Sequence, residues 1–229
     1  MAHRPLVFLL DVDNTLLDND RVTSDLKRYL ENEIGTERQK RYWEIFEQLR
    51  SELGYADYLG ALQRYRVENP HDMNLLRVSW FLTRYPFANR LYPESLDVVE
   101  KLRQWGPAVI LSDGDVVFQP RKIERSGLLD VVDAVLIYVH KEMELEDVER
   151  RYPADHYVMV DDKLRLLAAI KSHWGSRVTT VFPRQGHYAR DDEAAKRYPP
   201  ADIAIDRIGE LLGVDRARLL EASRATARA

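Results

Sequence analysis

The feature that most constrains the fold is a recurring one: short apolar runs, each breaking off at a cluster of polar residues. The first spans 6–10 and ends at Asp11, Val12, Asp13 and Asn14. Residues 107–111 lead into Ser112, Asp113 and Gly114, and 134–139 into His140 and Lys141. Residues 157–160 lead into Asp161 and Asp162, and 177–182 into Pro183, Arg184, Gln185 and Gly186. Apolar runs this short, without polar alternation, read as strands buried on both faces. Between them, apolar residues fall at helical spacing over 96–105, 118–127, 145–152 and 164–174, the last stopped by Gly175. Strands alternating with helices in this way specify an α/β fold, a parallel sheet covered on both faces.

The interval 20–90 breaks the rhythm. It has no β-branched run, and its apolar residues recur at three- and four-residue steps, as in Tyr42, Ile45, Phe46, Leu49 and Leu53, or Leu75, Val78, Phe81 and Leu82. This predicts a helical bundle at 20–90, inserted into a core made of 1–19 and 91–229. The last segment predicts a short strand or edge piece at ADIAI, then a helix from Ile208. Its Arg216, Arg218, Arg224 and Arg228 would form a solvated, fraying tail.

Composition narrows the function. Lys and Arg number 34 against 38 Asp and Glu, a net charge of -4, which argues against a dedicated nucleic-acid binder. Hydrophobic residues at 45% and charged residues at 31% exclude disordered and fibrous classes. Cysteine is absent, which removes disulfides, thiolate catalysis and Cys-based metal sites and fits a cytoplasmic location. The apolar run at 6–10 is too short for a targeting segment, so the chain is expected to be unprocessed. No stretch approaches the roughly 18 to 20 apolar residues of a membrane span.

In an open parallel sheet the working surface lies at the carboxyl ends of the strands. Here those ends carry Asp11 and Asp13, then Ser112, then Lys141, then Asp161 and Asp162. Each acid alone is an ordinary turn or N-cap residue. As a set they are not, because caps do not predict a serine and a lysine at the two intervening ends. Carboxylates gathered in one pocket repel unless a cation compensates, and an all-oxygen ligand set suits Mg²⁺. A lysine, a serine hydroxyl and free backbone N–H groups around Gly114 complement a phosphoryl group.

DVDNT at 11–15, LSDGD at 111–115, Lys141 and VDD at 160–162 together resemble the haloacid dehalogenase-like superfamily, in its phosphatase type with a helical C1 cap. The resemblance implies a Rossmann-like sheet of order 3-2-1-4-5 with the insert as cap. It implies a Mg²⁺-dependent phosphomonoester hydrolase acting through an aspartyl-phosphate. Asp11 would be the nucleophile and Asp13 the general acid and base. Asp11, Asp13 through its backbone carbonyl, and Asp161 would hold Mg²⁺, with Asp162 a ligand through water or a support for Lys141. Ser112, Asp113, Gly114 and Lys141 would bind phosphate, and Asn14 and Thr15 would shape that loop. The substrate would be a small phosphorylated metabolite, because a lid of about 70 residues limits access, and the protein a monomer or homodimer. A phosphomutase or phosphotransferase shares these motifs, and a non-catalytic binding protein could keep the scaffold.

Asp13 favours phosphoryl transfer, since dehalogenases of this superfamily lack an acid there. Phosphonate cleavage is disfavoured, since it takes a cap lysine and only Lys27 and Lys40 are in place. Lys122, in the helix after Ser112, is the rival of Lys141 for the phosphate lysine; Lys141 is preferred because it directly follows a strand. Glu142 and Glu144, where the family often has proline, are expected to face solvent at a helix N-terminus. Arg184 and His187 lie within reach of the site, although a polar loop with a hydrogen-bonded histidine explains them as well. His3, His71, His140, His156 and His173 form no ligand pair. In the insert, most arginines should be solvated and most aromatics, Trp80 among them, should be core.

Overall fold

The computed structural model describes residues 4–226, without the side chains of 192, 194 and 224–226. Strand β1 (Arg4–Leu10) is buried from Leu6 onward. Its residues alternate between two hydrophobic clusters, Leu6, Phe8 and Leu10 facing one and Val7 and Leu9 the other. That alternation makes it a central strand covered on both sides.

Four helices follow: α1 (Asn19–Ile34), α2 (Thr36–Leu53), α3 (Tyr58–Glu68) and α4 (Leu75–Arg84). Asp18 caps α1 and Asp57 caps α3, each accepting a backbone N–H of the first turn. Gly54, at φ 81, ends α2 in the left-handed conformation that glycine takes without strain. The chain then returns through α5 (Ser95–Arg103), β2 (Ala108–Asp113), α6 (Phe118–Ser126), α7 (Leu128–Val131), β3 (Ala134–Tyr138), α8 (Leu145–Arg151), β4 (Ala154–Val160) and α9 (Leu164–Trp174). It closes with β5 (Val178–Pro183), α10 (Asp192–Arg197), β6 (Ile203–Ile205) and α11 (Arg216–Thr226).

The six strands form one sheet, order β3-β2-β1-β4-β5-β6. Every pair is parallel. The expected order holds, and ADIAI supplies the sixth strand at the edge. Phe8 lies between Ala108 and Val158, which places β1 at the centre.

The insert shares the core of the sheet, because Tyr58 and Phe87 meet Phe118 of α6 at ring distances of 5.3 and 5.8 Å. Tyr42, Tyr58 and Tyr65 are buried in it, whereas Trp80, expected in the core, is 51% exposed. Val78 and Leu82 take the inward face of α4 instead.

Three boundaries move. Strand β2 continues through Ser112 and Asp113, paired with Ile137 and Tyr138, so those polar residues stand in the strand rather than after it. Strand β4 starts at Ala154, three residues early, because Ala154 and His156 pair with Arg4 and Leu6 of β1, and the His156 ring is bonded to Thr179. The helix expected from Ile208 is two pieces, a 3-10 turn at Ile208–Gly213 and then α11. Lys101 Nζ donates to the carbonyls of Leu211, Leu212 and Val214, and Asp215 accepts from Arg218 N, so the break has its own caps. Arg216 and Arg218 are exposed. The Arg224 side chain, Arg228 and His3 lie outside the described residues. Among the described residues no helix is long and apolar enough to cross a membrane.

Candidate active site

The end of β1 turns through a tight loop in which Val12 O accepts from the N–H groups of Thr15, Leu16 and Leu17. Asn14 takes φ 60 there, a left-handed conformation that asparagine tolerates. Its Oδ1 accepts from Asn19 N and Asp20 N at 3.0 and 3.1 Å. Asn14 therefore fastens the loop to the start of α1 and turns away from Asp11. Thr15 does the opposite: Oγ1 donates to Asp11 Oδ2 at 3.3 Å and accepts from Asp162 N at 3.1 Å, joining the first and fourth strand ends.

Lys141, wholly buried, stands between those ends. Its Nζ lies 2.5 Å from Asp11 Oδ1 and 2.6 Å from Asp161 Oδ2 and also donates to Leu111 O. Burial opposes its charge, but Asp11, Asp161 and Asp113 outweigh that and hold the ammonium well above its ordinary pKa. Asp113 accepts from Lys141 N at 2.8 Å and so fixes the turn that delivers the lysine. The support of Lys141 is thus Asp161 and Asp11, not Asp162.

Asp11, Asp161 and Asp162 are all buried, and one ligand oxygen from each lies within 4.8 Å of the others. Burial raises the carboxyl of Asp161 to about 6 despite Lys141, and raises that of Asp162 well above the usual range, with Asp161 and Asp11 adding to it. Among the described residues, neither Asp162 oxygen has a hydrogen-bond donor. A buried carboxylate without a donor calls for a cation, and three carboxylates facing one another suit a hard divalent ion such as Mg²⁺. The side chain of Asp13 is not in this group. It is 28% exposed and held by Gln119 Nε2 at 3.3 Å and Lys122 Nζ at 2.6 Å.

Ser112 Oγ accepts from Gln119 Nε2 at 2.9 Å at the end of β2. The Gly114 N–H, counted above among the free donors, is taken by Tyr138 O. Asp115 caps α6 through Val117 N and Phe118 N.

A cleft of about 1050 Å³ opens from these strand ends toward the insert. Lys27, Trp43 and Arg50 line it from the insert, and Lys163, His187 and Tyr188 from the core. Arg50 Nη2 reaches across to Tyr188 OH at 2.8 Å. His187 Nδ1 lies 2.6 Å from Asp20 Oδ1, a carboxylate oxygen that accepts its N–H, beside Asn14. Arg184 does not join it; it turns to Asp206. Glu142, expected in solvent, is only 10% exposed and pairs with Arg165 of α9 at 2.7 Å, whereas Glu144 is exposed.

Gln119 and Lys163 join the site without having been among its candidates, and Lys122, the rival for the phosphate lysine, binds Asp13 instead. Lys122 and Gln119 reach Asp13 from over 100 positions away, with no local pattern to announce it. Lys163 lines the cleft beside the carboxylates, which hold its ammonium above the ordinary range despite burial. Its place directly after VDD was a signal available in the sequence.

A sheet of this order, with acids closing its first and fourth strands, serine and lysine closing its second and third, and helices inserted after the first, defines the haloacid dehalogenase-like architecture. The model of the haloacid dehalogenase-like hydrolases matches residues 6–173, and the chain belongs to that family. It is similar to a Burkholderia xenovorans LB400 protein described as a haloacid dehalogenase-like hydrolase, at 62% identity and TM-score 0.88, over 93% of this chain and 99% of that one. The fold is shared with the magnesium-bound HAD-hydrolase YfnB of Bacillus subtilis, at 15% identity and TM-score 0.58 over 92% and 98% of the chains. It is shared equally with L-2-haloacid dehalogenase of Xanthobacter autotrophicus, at 17% identity and TM-score 0.60 over 90% and 96%. No curated protein sequence matches the chain.

Proposed function

We propose that this hydrolase is a Mg²⁺-dependent phosphatase of a small phosphorylated metabolite, working through an aspartyl-phosphate under the helical insert as cap. The observation that carries the reading is the buried trio Asp11, Asp161 and Asp162, whose Asp162 oxygens have no donor among the described residues. Asp11, Asp161 and Asp162 would hold the ion, which when bound offsets their charge and draws electron density from the phosphoryl oxygens.

The remaining steps belong to the chain. Lys141 and Thr15 each hold one oxygen of Asp11, which fixes the carboxylate for attack. An Asp11 oxygen bonds to phosphorus while the bond to the leaving oxygen breaks, and that oxygen takes its proton from Asp13. Asp13 then accepts a proton from the water that attacks phosphorus, which releases phosphate and restores Asp11. Lys141 and Ser112 stabilise the charge of the transferring group. The grip from α6 and the 28% exposure of Asp13 at the cleft support its role in exchanging a proton with a bound leaving group.

The test is hydrolysis of p-nitrophenyl phosphate. Activity that requires Mg²⁺ and disappears in Asp11→Asn is expected. Activity retained in that variant, or chloride released from 2-chloropropionate in place of phosphate chemistry, overturns the reading.

A further inference from the structure

We propose that Lys122 is a positioning residue for Asp13, fixing which of its oxygens exchanges a proton with the substrate; the inference rests on the phosphatase reading above. Lys122 is 1% exposed. A buried ammonium is costly unless paired, and the carboxylate of Asp13 is its ion-pair partner among the described residues. An apolar side chain at this position of α6 would pack beside Phe118 without that penalty, so the fold alone does not call for a lysine.

The geometry gives the ammonium a specific task. Lys122 Nζ lies 2.6 Å from Asp13 Oδ1 and 3.0 Å from Asn19 Oδ1. One turn earlier on the same helix, Gln119 Nε2 approaches Asp13 Oδ2 at only 3.3 Å while donating to Ser112 Oγ at 2.9 Å. Helix α6 thus offers one donor to each oxygen of Asp13, a short one to Oδ1 and a long one to Oδ2. Oδ1 is occupied. Oδ2, the weakly held oxygen, carries the proton to the leaving group and takes one from water. Asn19, the first residue of α1, holds the ammonium from its other side and keeps it on Asp13.

General-acid help matters more for a poor leaving group than for a good one. We therefore compare phenyl phosphate with 2,4-dinitrophenyl phosphate in the full-length Mg²⁺-loaded protein. In Lys122→Met, kcat/KM for the phenyl ester should fall by about 100-fold and for the dinitrophenyl ester by less than about tenfold. Lys122→Arg, which keeps a charged donor, should restore most of the difference. Equal losses on both esters, or no loss, overturn the proposal. Should Lys122→Met fail to fold, Asn19→Ala reads the same contrast: a larger loss on the phenyl ester supports the proposal, and parallel losses refute it. Wild-type protein inert toward both esters would sink the phosphatase reading and this inference together. An active wild type with an unchanged contrast in Lys122→Met sinks only the inference.

Discussion

The Lys141 ammonium lies 2.5 Å from the Asp11 carboxylate, across 130 residues of chain and out of contact with solvent. It is the nearest compensation those buried carboxylates have from the protein itself. Removing one member of a buried pair leaves the other uncompensated, a loss of about 3 to 5 kcal/mol. Lys141→Met should therefore lower the melting temperature and reduce phosphatase kcat by about 100-fold or more. Lys141→Arg should not rescue it, since a planar fork does not fit a site shaped for a compact ammonium. Thermal melts and steady-state kinetics on the two variants check both statements.

Asp162 predicts a metal effect on stability of opposite sign in two states. Without metal its carboxylate is buried beside Asp161 and Asp11 with no donor, so Asp162→Asn should melt at or above the wild-type temperature. With Mg²⁺, wild type should gain about 2.7 kcal/mol at a hundred times the dissociation constant, and the variant much less. Differential scanning calorimetry with and without Mg²⁺ reads this directly, with no substrate needed.

Gly186, at φ 68, packs on the Asp11 loop. A Cβ there would lie 2.5 Å from Asn14 Cβ, and Asn14 is itself held at φ 60 as the fastener of α1. Gly186→Ala should cost about 1 to 3 kcal/mol from backbone strain, and should also lower kcat, because the displaced Asn14 lies between Asp13 and Thr15. A urea titration together with p-nitrophenyl phosphate kinetics measures both. An unchanged midpoint would mean that the loop yields freely.

Away from the site, Asp25 of α1 ties the start of the insert to its end at Tyr85 and Arg90. Burial pushes its carboxyl up, but the hydrogen bonds from Tyr85 and Arg90 outweigh that and leave it below the usual value. A group with a depressed folded pKa stabilises fully above its unfolded pKa, near ~4, and loses that contribution as pH falls through the folded value. Asp25→Asn should thus destabilise by about 1.5 to 3 kcal/mol at pH 7. The gap to wild type should narrow below about pH 4. A gap independent of pH would mean that charge on Asp25 contributes nothing.

The parts of this molecule legible in the sequence are those with local signals. The strands at 6–10 and 134–139 announce themselves because burial on both faces forces an unbroken apolar run, and the polar clusters after them mark the working edge. Ser112 and Asp113 lie in the sheet although the apolar run ends at Leu111, because a strand need not stop where its apolar run stops. Lys122 is a candidate from the sequence only as the rival phosphate lysine, since its partners Asp13 and Asn19 lie on segments it meets only in three dimensions. Glu142 has the local pattern of a solvated residue for the same reason: Arg165, which draws it inward, belongs to another helix.

The central place of β1 has a consequence for biogenesis. Its neighbours are strands that begin at Ala108 and Ala154. Strand β1 therefore waits for about 100 further residues, some 5 to 20 seconds at ordinary elongation rates, before it gains its first partner, and longer before its second. Throughout that delay an apolar ribbon with both backbone edges open hangs from the nascent chain. Its safe passage falls to chaperones, or to the early collapse of the helices that follow it.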